Sequence, residues 1–233
     1  MIPISEVFGP TIQGEGHLVG LPTVFVRTGG CDYRCAWCDT LYAVLPEYKH
    51  TWPLMSAEEI MSRVEALSSQ PILITFSGGN PAMHDLGPVI DLAQSKGYTC
   101  TIETQGSIPQ TWFKKLDHMV FSPKPPSSLM KTDWDLLDEC YNEVKYDLTP
   151  ERICFKVVVS DETDYAYAKK VFEKYPDTKH CMSPCNISPG APDLEAVYEK
   201  TRHVVDMVLK DGLFNVSVIP QLHVLLWGNT RGI

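Results

Sequence analysis

The chain has no run of about 18 apolar residues, and its opening residues, MIPISEVFGP, hold neither a basic cluster nor a long apolar core. The first absence speaks against a membrane-spanning helix and the second against a signal peptide, so a cytoplasmic protein without membrane contact is expected. Basic charge is scarce. Lys and Arg number 20 against 29 Asp and Glu, a net charge of −9. An acidic surface does not track a phosphate backbone, so no nucleic-acid partner is expected. There is no internal repeat and no low-complexity tract, which removes solenoids and tails. None of the seven histidines stands at the i, i+4 spacing of a helical metal site. Most pointed is a missing ligand. Three of the eight cysteines fall within eight residues, as Cys31-x3-Cys35-x2-Cys38, with no fourth nearby. A structural zinc site takes four protein ligands, and a disulfide framework takes an even number.

What is present is ordinary for a folded domain. The 233 residues are 44% hydrophobic and 21% charged, consistent with one domain over 1–233. Seven segments read as strands: 23–28, 71–77, 99–104, 118–122, 153–160, 179–183 and 214–220. Several are continuous apolar runs, as buried parallel strands are. Helical patterns alternate with them. Ser56-x-x-Glu59 is a capping box opening a helix to about Leu67. Residues 85–97 end in Lys96-Gly97, a C-cap signal. Residues 161–176 place acids first and lysines last, and 193–212 end at glycine. Strand–helix alternation predicts an α/β fold with a parallel sheet, open or curled into a barrel, and ligands at the carboxyl ends of its strands.

The cysteine loop, GGCDYRCAWCDT, follows the first of those strands, and Gly29 and Gly30 let it bend around a bulky group. Three thiolates can hold three irons of a 4Fe–4S cube and leave the fourth iron open to a small molecule. The competing reading is a zinc-stabilised binding module with a distant fourth ligand. Cys100 reads as a small core residue and the Cys181/Cys185 pair as incidental thiols.

Other polar groups stand where strands end. FSGGNPAMH (76–84) offers two glycines for close backbone approach and carbonyls that can accept from an ammonium. TIQGEG (11–16) is placed before the first strand. Its Gln13 offers an amide suited to a heterocycle's donor–acceptor edge, and Glu15 lies between glycines. Arg27, ending an apolar strand, needs a partner: a substrate carboxylate or a structural ion pair serves equally. IETQGS and FSPKPPSS add polar strand ends. The tail, SVIPQLHVLLWGNTRGI, carries Gln221 and His223, with Trp227 as an anchor.

With an aromatic, Trp37, before its last cysteine, the cysteine loop resembles the signature of radical S-adenosylmethionine (SAM) enzymes. SGGNPA resembles their Gly-Gly-Glu-Pro motif, with Asn80 in place of the commoner Glu. Together with EVFGPTIQGEG, IETQGS, SPKPPSS and PQLHVLLWGNTRGI, these segments resemble the 7-carboxy-7-deazaguanine synthase family over nearly the whole chain. The resemblance implies a partial, reduced parallel (β/α) barrel of about six strands. It implies conversion of 6-carboxy-5,6,7,8-tetrahydropterin to 7-carboxy-7-deazaguanine with loss of ammonia, in 7-deazapurine (queuosine) biosynthesis. The implied cofactors are a 4Fe–4S cluster on Cys31, Cys35 and Cys38, SAM, and Mg2+ on Thr40. Trp37, Asp39, Gly79, Ser122, Pro123 and Lys124 resemble SAM contacts. Ile12, Gln13, Gly14, Arg27, Ser77 and the terminal Ile233 resemble contacts to the pterin. An electron donor such as flavodoxin and a homodimer are also implied. Another radical SAM enzyme, such as a glycyl-radical activase, would share the cysteine signature.

Overall fold

Apolar runs bounded by turns become the interior strands of a single sheet. The computed structural model describes residues 1–186 and 193–233. Its strands are β1 (Ile2–Ile12), β2 (Pro22–Thr28), β3 (Leu54–Met55), β4 (Leu73–Gly78), β5 (Thr99–Thr104), β6 (His118–Phe121), β7 (Ile153–Val159), β8 (Lys179–Pro184) and β9 (Val216–Val218). Its helices are α1 (Leu41–Val44), α2 (Ala57–Leu67), α3 (Gly87–Ser95), α4 (Trp134–Asn142), α5 (Glu162–Lys174), α6 (Leu194–Lys210) and α7 (Leu222–Trp227). The sheet order is β3-β1-β2-β4-β5-β6-β7-β8-β9. From β2 to β9 every pairing is parallel, and β1 runs antiparallel to both its neighbours.

All seven expected strands are present. β1 and β3 join those seven, so the sheet has nine strands where the resemblance implied about six. Ile12 therefore ends a strand and does not precede the first one. Gly and Pro are turn formers by type, but at Gly9 and Pro10 the strand continues: the register of β1 against β2 shifts between Phe8 and Thr11, and Gly9 takes a φ of 128°. A bulge absorbs both residues on a strand that is largely an edge.

Strand alternation divides the residues between two faces. One face packs on the helices: Val24, Val26, Ile74, Phe76, Ile102, Met119, Phe121 and Phe155 join Ile60, Val64, Ile90, Ala168 and Val171 in one buried cluster. Cys100 is fully buried within it, as expected. The other face carries Phe25, Arg27, Glu103, Lys156 and Ser183, which all line one cavity. Seven flat strands at about 4.8 Å spacing would span roughly 30 Å. Residues from β1, β2, β4, β5, β7 and β8 nevertheless reach a single cavity of ≈ 380 Å³, so the sheet curls around it.

The helix ends follow their sequence signals. Ser56 Oγ accepts from the Glu59 amide at 3.2 Å, and Glu59 Oε2 accepts from the Ser56 amide at 2.7 Å, closing the capping box. Gly97 and Gly212 take φ values of 85° and 67° just beyond α3 and α6.

Candidate functional site

Cys31, Cys35 and Cys38 leave the end of β2 and line the mouth of the cavity. The loop is held against the turn after β4 by close backbone approach. The Asn80 amide donates to the Gly30 carbonyl at 2.8 Å, and a Cβ on Gly79 would sit 2.0 Å from that oxygen. Burial pushes the Cys31 and Cys35 thiols up. Cys35 reaches about 11: the neighbouring thiols add to the rise, and the Lys124 ammonium opposes it. Burial lowers Lys124 in turn, and the same two cysteines hold it up. Cys31 and Cys35 therefore keep their protons until a cation replaces them. Three sulfurs beside one ammonium, on a glycine-hinged loop, fit an iron–sulfur cube with one iron left open.

The opposite wall is a polar network. Lys156 contacts Glu15 and lies 3.4 Å from Glu103 Oε2. Gln13 Nε2 donates to Glu103 Oε1 at 3.2 Å, and its Oε1 accepts from the Glu15 amide at 3.1 Å. Gln221 Nε2 donates to Glu15 at 2.7 Å and to Asp39 at 3.3 Å. Burial alone would raise the Glu15 carboxyl, but Lys156 overrides it and holds it at about 2. Lys156 is held well above the ordinary lysine value, since the two carboxylates outweigh its own burial. Glu103 and Lys156 escaped the sequence reading. Lys156 had a signal: it is the one charge inside the apolar run ICFKVVVS, and a lysine there requires partners.

Of the two partners expected for Arg27, the structure shows the ion pair. Its Nε donates to Glu6 at 2.7 Å, in an ion pair that Tyr42 Oη (2.8 Å) and Arg231 Nε (2.9 Å) complete. Burial would raise Glu6, yet these three hold it below the usual carboxylate range. The Arg27 terminal nitrogens make no hydrogen bond among the described residues, the guanidinium lies 5.6 Å from the centre of the Phe8 ring, and the side chain still lines the cavity.

Ile12, Ser77, Trp37, Asp39, Thr40, Gly79, Ser122, Lys124 and Ile233 line the cavity as well. Trp37 Nε1 donates to Ser127 at 2.9 Å, and Lys124 Nζ donates to Ser122 Oγ at 3.1 Å. Thr40 precedes α1, with its hydroxyl 3.7 Å from Cys38 Sγ. Gly14 and Pro123 stand behind the lining. A Cβ on Gly14 would sit 2.3 Å from His223 Nδ1, so this glycine admits the His223 ring that does line the cavity. Cys185 faces the cavity, whereas Cys181 lies 3.6 Å from Cys154, sulfur to sulfur, in a small separate cluster. Asn80 is fully buried and lies outside the lining.

The family model for the radical SAM superfamily matches residues 25–122. The chain is 38% identical over 239 residues to the 7-carboxy-7-deazaguanine synthase of Bacillus subtilis, covering 100% of this chain and 98% of that one. It is 28% identical over 212 residues to the synthase of Escherichia coli, covering 78% and 91%. The crystal structure of QueE from Escherichia coli superposes with a TM-score of 0.71 at 24% identity, over 95% of this chain and 94% of that one.

Proposed function

The chain belongs to the 7-carboxy-7-deazaguanine synthase family of radical SAM enzymes, and from that membership we propose the ring contraction of 6-carboxy-5,6,7,8-tetrahydropterin to 7-carboxy-7-deazaguanine, with loss of ammonia. The observation that carries it is one cavity with three thiols at one wall and Gln13, Glu103 and Arg27 at another. Bound there, a 4Fe–4S cluster and SAM supply reductive cleavage and hydrogen abstraction from the substrate. The chain's own residues bind and orient. Cys31, Cys35 and Cys38 hold the cluster, and Lys124 offsets their charge. Trp37, Asp39, Gly79, Ser122 and Pro123 frame the SAM side. Ile12, Gln13, Gly14 and Ser77 frame the pterin side. The unpartnered edge of Arg27 pairs with the substrate carboxylate while Glu6 fixes the guanidinium plane. Ile233 lines the same space. Thr40 would offer its hydroxyl to a Mg2+, a hard cation that takes oxygen ligands. An external reductant such as flavodoxin, a homodimer and a single domain over 1–233 complete the reading. No helix among the described residues is long and apolar enough to cross a membrane.

Anaerobically reconstituted protein, given dithionite, SAM and carboxytetrahydropterin, should release the deazaguanine acid and ammonia in equal amounts. Uncoupled SAM cleavage without that product would refute the substrate assignment and favour another radical SAM reaction.

A further inference from the structure

We propose that Asp32 and Gln105 form a positioning pair that aims an N–H at the Cys31 sulfur and thereby raises the reduction potential of the cluster. The inference rests on the assignment of the three cysteines to that cluster. Gln105 directly follows β5, is 5% exposed and lines the cavity. Its Nε2 lies 2.7 Å from Asp32 Oδ1 and 3.6 Å from Cys31 Sγ. The two ends of a glutamine amide have nearly the same shape, so its neighbours decide which way it points. A carboxylate offers only acceptors. The nitrogen must therefore face Asp32, and its second hydrogen falls toward the sulfur.

Asp32 is itself fixed by neutral donors. Asn80 Nδ2 donates to it at 2.8 Å and Ser107 Oγ at 2.6 Å. Asn80 cannot turn round. Its Oδ1 accepts from the Thr104 hydroxyl at 2.7 Å and from the Ala82 amide at 3.2 Å. Every orientation in the network thus follows from one group that can only accept. The same logic accounts for the amide at position 80, because a carboxylate there would meet Asp32 at bonding distance, charge against charge. An N–H donor stabilises a cysteine sulfur more when the cluster carries an extra electron, so it favours the reduced form. The Tyr33 backbone amide, 3.4 Å from the same sulfur, acts in the same sense.

The test is a redox titration of the reconstituted cluster, followed by its paramagnetic signal without SAM, alongside iron and sulfide content and the melting temperature. Gln105→Leu should keep the cluster and shift its midpoint to lower potential. Asp32→Asn should keep the cluster without that downward shift, because Asn80, which cannot turn round, donates to the same Oδ1 and so keeps an acceptor in front of Gln105. A merely structural contact predicts no midpoint change once the cluster is in place. An unchanged or raised midpoint in Gln105→Leu would overturn the proposal, and so would a fall in Asp32→Asn as large as that in Gln105→Leu. So would loss of the cluster from Gln105→Leu at unchanged melting temperature, because the residue would then hold the cluster and not tune it. Wild-type protein that takes up no 4Fe–4S cluster would sink the parent assignment instead, so the two failures are distinguishable.

Discussion

Lys156 is the buried charge on which the polar wall depends, and two carboxylates converge on it. Replacing it by methionine keeps the volume and leaves Glu15 and Glu103 buried without a cation. Breaking such a pair costs about 3–5 kcal/mol, measurable by denaturant unfolding at neutral pH. The pH dependence should reverse as well. In the wild type, Glu15 is held at about 2, below its ordinary 4.5. Its stabilisation is complete above 4.5 and is lost as pH falls through about 2. In Lys156→Met the same carboxyl is buried without its cation, and burial then raises it above its unfolded value, so stability should rise on acidification. A variant with the wild-type slope would refute the role. His17 gives a second titration. Burial first, then His118 and Lys179, depress it to about 4 from 6.5. The unfolded chain binds the proton first, so stability should fall between about pH 6.5 and 4, and His17→Phe should flatten that limb. At this scale the cysteine loop and most cavity residues were legible, because thiol spacing and glycine pairs are local signals. Glu103 was not, since nothing in TIET says which face of its strand meets a lysine 53 positions away.

Elements are legible where their ends carry chemistry. The capping box of α2 was readable from Ser56 and Glu59, and both reciprocal bonds are present. Ser56→Ala removes the acceptor for the Glu59 amide. That should cost about 1 kcal/mol and lower the melting temperature by about 2–4 °C, as read by calorimetry. A change within error would show that α2 is held by its buried face alone. α4 went unread despite Asp133, whose Oδ1 accepts from the amides of Asp135 at 3.1 Å and Leu136 at 3.2 Å. Its apolar contribution is small, with Leu137 and Cys140 buried in nine residues, so periodicity alone carries little weight. β1 failed for the opposite reason. Gly9-Pro10 is a strong turn signal, and only the pairing with β2 shows that the strand continues through it.

At the scale of the molecule, the two ends of the chain meet over the cavity. Glu6 binds Arg27 on the neighbouring strand and Arg231 from the tail, and the Arg231 guanidinium lies 3.8 Å from the centre of the Tyr42 ring. Nothing in the sequence links positions 225 apart; the link exists only because β1 and β2 pair and the tail returns past α7 to the same wall. This ion pair and this stacking contact thus join the end of the tail to the cavity wall. Arg231 is half exposed, so its ion pair adds at most about 1 kcal/mol to global stability. Its effect on substrate should be larger than its effect on folding. Arg231→Ala should leave iron content, melting temperature and the KM for SAM near wild type while raising the KM for the pterin, since the tail borders the substrate side and the cysteine loop is held elsewhere. A variant whose two KM values rise together would mean that the tail supports the whole site and does not act as a wall of its substrate half.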